Sequence, residues 1–341
     1  MNPVKHDPDY WEPPLLALVG MGMARTDLSV SAVRWIEKAE VLAGGERHLG
    51  LFPEHPGGRI ALQPSLDAFL ESVVRISPEK RTAVLASGDP FFFGIGRRLV
   101  QALGRERVVV LPNVTSVQAL FSKLSEPWED VKPVSLHGRP DPSDSPLWIR
   151  ELRFHSKVAL FTDAQNTPDR IARQLLDANI PGLYLVVGED LGLETESIRR
   201  LSLEEAAGET FSPLNLVAVL PEENGAPGGA PALRGPVLGL PEEAFRHEAG
   251  LITKMEIRAV ALAHLRLLPG LVLWDLGAGS GSVSIEAARL VRLKQVSAVE
   301  KNARRCSDLR ENVRRFHCPE IRIVEGSATE VLDGLPDPDR V

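Results

Sequence analysis

The sequence predicts an α/β protein with two domains, the first made of two lobes and the second built around a glycine-rich loop. Three observations lead to this class. Short apolar runs of strand length alternate with helical spacing over most of the chain. A stretch rich in glycine, proline and alanine at 221–236 interrupts the alternation and predicts a linker. Beyond it, a buried strand leads directly into three closely spaced glycines.

The composition is that of a globular protein with folded cores. The 341 residues suffice for two domains of ordinary size. Acidic residues outnumber basic ones by 46 to 39, so the chain has no overall basic field for nucleic acid or a membrane. Cys306 and Cys318 lack metal-site spacing and indicate free thiols in a reducing cytoplasm. The apolar run at 15–19 is too short for a signal peptide or a membrane span.

The N-terminal region begins with a strand, a helix and a second strand, which is the start of an open parallel sheet. The predicted strands of the first lobe lie at 15–19, 41–43, 82–86 and 108–111, with helices at 29–39 and 94–103 and from 116. A second lobe is predicted from about residue 131, with strands at 158–161, 183–187 and 216–219 and a helix at 169–179.

The C-terminal domain has the same alternation. Thr253 and Glu256 match a capping box before an apolar helix at 257–268. The elements predicted after it are strands at 271–274, 296–299 and 321–324, helices at 282–290 and 303–315, and a short last helix. Residues 338–341 predict the entry to a fourth strand. Because a sheet of this kind normally continues for several strands, we expect the second domain to be truncated.

The spacing of the glycines at 277, 279 and 281 distinguishes between two classes of ligand-binding loop. A dinucleotide loop, G-x-G-x-x-G, requires its third glycine at the position of Ser282. The spacing instead resembles motif I of S-adenosylmethionine (SAM) methyltransferases. Glu300 ends the next strand, roughly 20 residues further on, where an acid suits a pair of ribose hydroxyls. A plain glycine turn in an α/β domain is the alternative.

Several segments, taken in order, resemble one family. Those of the first domain are Gly20–Gly22, Gly44–Leu49, Ala86–Pro90 with Gly94–Gly96, Pro112–Gln118, Ser135–Arg139 and Leu214–Leu216. Those of the second domain are Gly250–Arg258, Trp274–Ser284, Glu300 and Glu325–Ala328. Over nearly its whole length the chain resembles the precorrin-6Y C5,15-methyltransferase (decarboxylating) family of cobalamin biosynthesis.

The resemblance implies a two-lobed tetrapyrrole methylase fold over 13–220, with SAM folded in a cleft between the lobes. After the linker at 221–236 it implies a Rossmann-like SAM methyltransferase domain over 237–341, incomplete at its C-terminus. The first domain is expected to methylate C5. The second is expected to methylate C15 and to remove the carboxylate of the C12 acetate arm, so that precorrin-6B becomes precorrin-8. We expect a cytoplasmic homo-oligomer with SAM as cofactor and a precorrin polycarboxylate as substrate, without a metal, nucleic-acid or membrane partner.

Carried onto this chain, the resemblance implies two sets of SAM contacts. Those in the first domain are Gly20, Gly22, Gly88, Asp89, Thr115 and Ser116. Those in the second are Thr253, Asp275, Gly277, Ala278, Gly279, Ser280, Gly281, Glu300 and Ala328. Arg139 and Arg258 are expected to pair with substrate carboxylates. The catalytic candidates are His247, as an acid–base group, and Lys254.

Each of these roles has a structural alternative. Thr115 and Thr253 could be helix caps alone, and Ser87 to Pro90 form a good turn without any ligand. Asp275 could orient the glycine loop or contact the methionine amine. Phe91, Phe92 and Phe93 could cover a flat macrocycle, but we expect them to lie partly in the core. Three functional alternatives stay open: the equivalent enzyme for cobalt-precorrins, a half-active or non-catalytic truncated form, and a dinucleotide oxidoreductase.

Overall fold

The computed structural model describes residues 7–63, 65–137, 146–222, 236–248 and 250–341. The chain forms two compact units. The first runs to Trp128 and includes Gly188–Ser197 and Leu214–Leu216. The second comprises Glu129–Val187, Ile198–Pro213 and Val217–Val341. No helix within the described ranges is long and apolar enough to cross a bilayer.

The first unit is built on a parallel sheet with the strand order β3-β2-β4-β1-β5. Its strands are β1 (Leu16–Gly20), β2 (Val41–Gly44), β3 (Gly58–Ala61), β4 (Thr82–Ala86) and β5 (Val108–Leu111). Its helices are α1 (Val30–Glu37), α2 (Glu46–Gly50), α3 (Leu66–Ile76), α4 (Gly96–Leu103) and α5 (Ser116–Leu124). The central strands β1 and β4 are buried throughout, because helices cover both faces of such a sheet.

Three strands of this sheet end side by side. Gly20 at the end of β1 is in register with Ala86 of β4, and Val19 is in register with Leu111 of β5. The loops that follow β1, β4 and β5 therefore leave the sheet at one edge. The carboxyl edge of an open α/β sheet is where such folds bind their ligands.

The second unit contains two sheets. The first has the order β6-β7-β10-β8-β9, in which β6 and β7 are parallel, and the second has the order β11-β12-β13, with both of its pairs parallel. The strands are β6 (Val131–Ser135), β7 (Lys157–Phe161), β8 (Leu183–Glu189), β9 (Ser197–Ser202), β10 (Asn215–Pro221), β11 (Val272–Leu276), β12 (Gln295–Glu300) and β13 (Ile321–Glu325). The helices are α6 (Pro168–Asp177), α7 (Leu203–Gly208), α8 (Met255–Leu265), α9 (Ser282–Leu290), α10 (Ala303–Arg315) and α11 (Ala328–Val331).

Most of the predicted elements are confirmed, and the start of α8 is a correction. The predicted capping box is wrong, because α8 begins at Met255 after Lys254 and has no side-chain capping bond. The carbonyl of Thr253 instead accepts a hydrogen bond from the Arg258 guanidinium. At the other end of the domain, Arg340 forms an isolated parallel bridge with Leu273, which confirms the predicted strand entry and shows that it lies beside β11.

Candidate functional site

In the first unit, the loops after β1 and β4 are joined backbone to backbone. Gly88 N donates to Gly22 O at 3.2 Å, and Gly22 N donates to Gly88 O at 3.4 Å. A Cβ on Gly20 would lie only 2.6 Å from Gly88 O, so no larger residue fits there without displacing the backbone. Gly22 and Gly88 both have positive φ, +62° and +55°. The predicted glycines Gly20, Gly22 and Gly88 thus lie together as one backbone surface, which we call the glycine wall.

The loop after β5 adds a capped helix start to this wall. Thr115 accepts a hydrogen bond from Gln118 N through its hydroxyl, and Thr115 N donates to the side-chain Oε1 of Gln118 at 2.9 Å. This capping box shows that Thr115 caps α5, and its contact with SAM stays a prediction. Thr115 Cα lies 3.5 Å from the position that a Gly88 Cβ would take. Ser116, half-buried, is the first residue of α5.

Two side chains of this wall have clear structural tasks. The Asp89 carboxylate accepts from Phe91 N at 2.8 Å and so closes the turn after Gly88. Asn113, which the sequence analysis missed as a functional residue, donates from Nδ2 to Gly20 O at 2.9 Å. It thereby ties the loop after β5 to the loop after β1. An asparagine in a Pro-Asn turn at a strand end was the available signal.

A buried histidine lies behind the loop after β4. His48 Nε2 is 3.3 Å from Ser87 Oγ and 3.3 Å from the Arg47 guanidinium. Burial, assisted by the Arg47 charge, lowers the pKa of His48 to about 4. Because Arg47 only donates, Nε2 acts as the acceptor and the neutral ring carries its proton on Nδ1. His48 belongs to the Gly44–Leu49 segment that carried part of the resemblance.

In the second unit, the glycine loop is open at its first two glycines and closed at its third. Gly277, Gly279 and Gly281 have φ of +83°, +59° and +80°. A Cβ added at Gly277 would meet nothing within 4 Å, and one at Gly279 would only touch Gly277 O at 4.0 Å. A Cβ at Gly281 would lie 2.1 Å from Leu309 Cδ1 of α10. The first two glycines therefore leave backbone accessible to a ligand, and the third permits helix packing.

Two carboxylates flank this loop. Glu300, at the end of β12 and only 4% exposed, accepts from Gly279 N at 2.9 Å and from Asn302 N at 2.8 Å. The Asp275 carboxylate turns to α9, where it accepts from Ser284 N and from the Ser284 hydroxyl. Burial raises the pKa of Asp275, the Ser284 bonds oppose that shift, and the Glu300 charge adds to it.

The remaining residues predicted for the second SAM site lie on the same loop or beside it. Ala278 N donates to Val299 O at 2.9 Å, and the buried Ser280 accepts at its carbonyl from Asn312 Nδ2 at 2.9 Å. Gly326 N donates to Glu300 O at 3.0 Å, which brings the start of α11, at Ala328, next to Glu300.

Asn312 is the second functional candidate that the sequence analysis missed. Its side chain is fully buried and forms hydrogen bonds with both backbone groups of Arg246. Oδ1 accepts from Arg246 N at 2.7 Å, and Nδ2 donates to Arg246 O at 2.7 Å. Nδ2 also contacts Ser280 O. One amide on α10 thus fixes the segment that carries His247 against the glycine loop. A lone asparagine in a charged helix gave no sequence signal of this role.

The residues predicted for substrate and catalysis have mixed outcomes. Arg258 is a correction: it is fully buried, 3.0 Å from the Glu286 carboxylate, and bonded to the carbonyls of Leu240 and Thr253. An arginine held in this way cannot reach a substrate. Lys254 is largely exposed and 3.9 Å from the Glu242 carboxylate. His247 Nδ1 is 2.8 Å from Glu248 O, and Arg139 lies outside the described residues.

Two family models match the chain. The model of the tetrapyrrole (corrin/porphyrin) methylases matches residues 15–207, and that of the precorrin methyltransferase domain matches residues 243–341. The structure of the methyltransferase CobJ is similar at a TM-score of 0.52 and 18% identity, over 61% of this chain and 94% of that one. That likeness shows a shared fold for the first domain and confirms the predicted class.

Named relatives cover either the whole chain or its first domain. The precorrin-6Y C(5,15)-methyltransferase (decarboxylating) of Sinorhizobium sp is 32% identical over 331 residues, which are 96% of this chain and 78% of that protein. The cobalt-precorrin-7 C(5)-methyltransferase of Salmonella typhimurium is 37% identical over 209 residues, which are 61% of this chain and 100% of that protein. The chain therefore belongs to the precorrin-6Y C(5,15)-methyltransferase (decarboxylating) family, with a tetrapyrrole methylase domain followed by a precorrin methyltransferase domain.

Proposed function

We propose that this chain methylates a precorrin macrocycle with SAM, at C5 through the first domain and at C15 through the second. The second domain also removes the carboxylate of the C12 acetate arm, so that precorrin-6B becomes precorrin-8. The names of the relatives that span both domains support this reaction. The proposed domain bounds remain 13–220 and 237–341, joined by 221–236.

One observation carries the proposal for the second domain: Glu300 lies over a glycine loop whose backbone is accessible at Gly277 and Gly279. A carboxylate has more acceptor positions than the two bonds that Glu300 makes. It can therefore accept from ribose hydroxyls, while the loop from Gly277 to Gly281 admits the methionine end of SAM. Gly281 supports helix packing, and Ser282 stands where a dinucleotide loop has its third glycine. The residues present fit SAM better than a dinucleotide.

The first domain offers a second site lined by backbone. We assign its SAM contacts to Gly20, Gly22 and Gly88, and to the helix start at Thr115 and Ser116. The Asp89 carboxylate closes a turn, so its contribution is to shape the loop. In the second domain Asp275 likewise acts through α9, and Thr253 and Ala328 border the site through their backbone.

SAM supplies an electrophilic methyl group, and the conjugated macrocycle supplies the electron pair that attacks it. The chain therefore needs no side-chain nucleophile. Its residues hold the two reactants close and in line and exclude water, which together are worth about 7–11 kcal/mol of the barrier. Loss of the C12 carboxylate breaks one C–C bond, releases CO₂ and leaves the electron pair in the conjugated ring, where it supports methylation at C15.

For the decarboxylation we assign His247 the role of an acid–base group and Lys254 that of a partner for the substrate carboxylate. Lys254 is exposed at the start of α8 and can bind an acetate carboxylate. His247 is held near the glycine loop through the contacts that Asn312 makes with Arg246 and Ser280. Arg139 remains a proposed partner for another substrate carboxylate. We further propose that the chain acts in the cytoplasm as a homo-oligomer.

A cobalt-containing substrate is the second candidate, because the Salmonella relative is named for a cobalt-precorrin. The metal would then be part of the substrate. Assays with metal-free and cobalt-containing precorrin decide between the two.

The test of the proposed reaction is the fate of a ¹³C-labelled methyl group of SAM. With precorrin-6B as substrate, NMR of the product should show two labelled methyl groups, one bound to C5 and one to C15, with one CO₂ released. A Lys254→Ala variant should retain the C5 label while C15 labelling and CO₂ release fall together. If SAM binds but no labelled methyl group is found on the ring, the proposal is refuted.

A further inference from the structure

Arg47 is a cation close to the glycine wall of the first unit. It belongs to α2, which follows β2, and β2 pairs in parallel with β4, so the loops after both strands leave the sheet at the same edge. The Arg47 guanidinium is 3.3 Å from His48 Nε2. That nitrogen is in turn 3.3 Å from Ser87 Oγ, and Ser87 directly precedes Gly88 of the wall. Arg47 therefore lies at the edge of the sheet where such folds bind ligands.

The loop after β8 borders the same place. Its residues Gly188–Ser197 belong to the first compact unit. A Cβ on Gly192 would lie 2.6 Å from Met23 Cβ, so this loop packs against the loop after β1. Desolvation by the surrounding protein lowers the pKa of Arg47, and the charge of Asp190, in the loop after β8, opposes that shift. Arg47 is therefore near two loops, one that carries Gly88 and one that packs beside the wall.

The charge of Arg47 has no carboxylate partner among the residues that the structure describes. The side chain is exposed, and the hydrogen bond that its guanidinium makes is with the neutral His48 ring. The Asp190 carboxylate already accepts from the Thr195 hydroxyl at 3.0 Å. An arginine has five N–H donors and stays protonated in proteins. Most donors of Arg47 are thus available to an acceptor on a ligand.

We propose that Arg47 binds one carboxylate arm of the precorrin during methylation at C5. This inference rests on the proposed function of the first domain. A guanidinium matches a carboxylate through two parallel N–H···O hydrogen bonds, and a precorrin has several such arms. Because the Asp190 charge partly balances Arg47, the site suits a single carboxylate better than a doubly charged phosphate. The carboxylate at the methionine end of SAM is the competing ligand.

The test separates these two carboxylates within one chain. Arg47→Ala should raise KM for C5 methylation about tenfold at unchanged kcat, the loss expected for one hydrogen bond between charged partners. Methylation at C15, read from the second ¹³C signal of the same product, is the internal control and should not change. Calorimetry with S-adenosylhomocysteine, which has the same methionine carboxylate as SAM, should give an unchanged Kd for the first domain. Arg47→Lys keeps the charge without the planar fork and should have an intermediate KM.

Arg75→Ala is the matched control for removing an exposed cation from the same unit. Arg75 is exposed and forms no ion pair with any described residue. It lies in the last turn of α3, just before β4 begins, and therefore at the opposite edge of the sheet. This variant should keep the wild-type KM. The wild-type KM should also rise with salt more steeply than that of Arg47→Ala, since an ion pair is screened. Thermal melting confirms that each variant is folded.

Three results overturn the inference. An unchanged KM for C5 methylation in folded Arg47→Ala would show that no substrate arm binds there. A lower kcat at unchanged KM would show that Arg47 acts only through His48. A parallel loss of S-adenosylhomocysteine affinity would assign the carboxylate to SAM. If the wild-type chain binds S-adenosylhomocysteine but methylates neither carbon, the proposed function itself fails.

Discussion

Glu300 and Asp275 are two carboxylates beside one glycine loop, and they have different partners. Glu300 accepts from Gly279 N and is the only one of the two that contacts the loop through a described hydrogen bond. Asp275 is committed to Ser284 on α9. The pKa of Asp275 is raised by burial, and a second charge close to Glu300 would be unfavourable. We therefore expect binding at the loop to depend on Glu300 and the position of α9 to depend on Asp275.

His48 leads to a prediction about stability at low pH. Its folded-state pKa of about 4 lies below its ordinary value of 6.5, so the unfolded chain binds the proton more readily. The free energy of unfolding should therefore be highest above pH 6.5 and decrease as the pH falls toward 4, by at most about 1.4 kcal/mol per pH unit for this group. In His48→Gln this part of the decrease should be absent. Urea denaturation of both proteins from pH 7 to pH 4.5 measures the difference, and identical slopes would contradict it.

At the residue scale, the sequence could predict side chains whose position follows from their own strand or loop. Glu300 is such a residue, because a strand end fixes where it lies. Arg258 and Asn312 are not. Arg258 is buried because Glu286, on another helix, pairs with it. Asn312 acts through Arg246, which is 66 positions away in the sequence. Local spacing contains no information about such partners.

At the scale of elements, the glycine loop has two structural roles. Gly277 and Gly279 leave the loop open, and Gly281 lets α9 and α10 approach each other. Leu309, fully buried on α10, occupies the space beside Gly281. One loop thus has open space at two glycines and allows close helix packing at the third.

Gly281→Ala should lower stability more than a matched glycine replacement. Gly182 also has positive φ, +70°, but a Cβ there meets nothing within 4 Å. Gly182→Ala should cost about 1–2 kcal/mol from backbone strain alone. Gly281→Ala should cost a further 1–3 kcal/mol or so, because buried Leu309 must move. Chemical denaturation measures both values, and equal costs would show that Leu309 does not constrain the loop.

Several elements with an apolar pattern were predicted, but α3, which has one too, was missed, and so were polar edge strands. The ends of α9 and α10 were predicted to the residue, since apolar spacing and flanking turns mark them. The strands β3, β6 and β9 were missed. All three lie at the edge of their sheets and carry polar residues, as edge strands that face water do. The start of α8 was misplaced because Thr253 and Glu256 match a pattern that a buried arginine overrides.

At the scale of the molecule, the second unit contains a buried ion pair between distant segments. Arg153, at the end of the 3-10 turn Leu147–Arg153, pairs with Glu320 just before β13 and lies 2.9 Å from Cys318 Sγ. Both charged side chains are almost fully buried. Burial raises the pKa of Cys318 to about 12, so the thiol stays protonated. The sequence placed a linker at 221–236 between these segments and could not indicate that they pack together.

Arg153→Met should strongly destabilise the second unit, by about 3–5 kcal/mol, since Glu320 would be left buried without its partner. The double variant Arg153→Met with Glu320→Leu should recover most of this loss, because two apolar groups of similar size replace the pair. Urea denaturation followed by far-UV circular dichroism measures both. If the double variant is as unstable as the single one, the loss of stability does not come from leaving Glu320 unpaired, and the prediction is wrong.

We expect each domain to bind SAM in a pocket lined by backbone, and Glu300 to be required for binding in the second domain. Calorimetric titration with S-adenosylhomocysteine measures this directly. Glu325→Ala is the control, because Glu325 ends the neighbouring strand in register with Glu300. The wild type and Glu325→Ala should each show two sites, and Glu300→Ala should show one site of unchanged Kd. Two sites in folded Glu300→Ala, or no site in the wild type, would refute these binding roles.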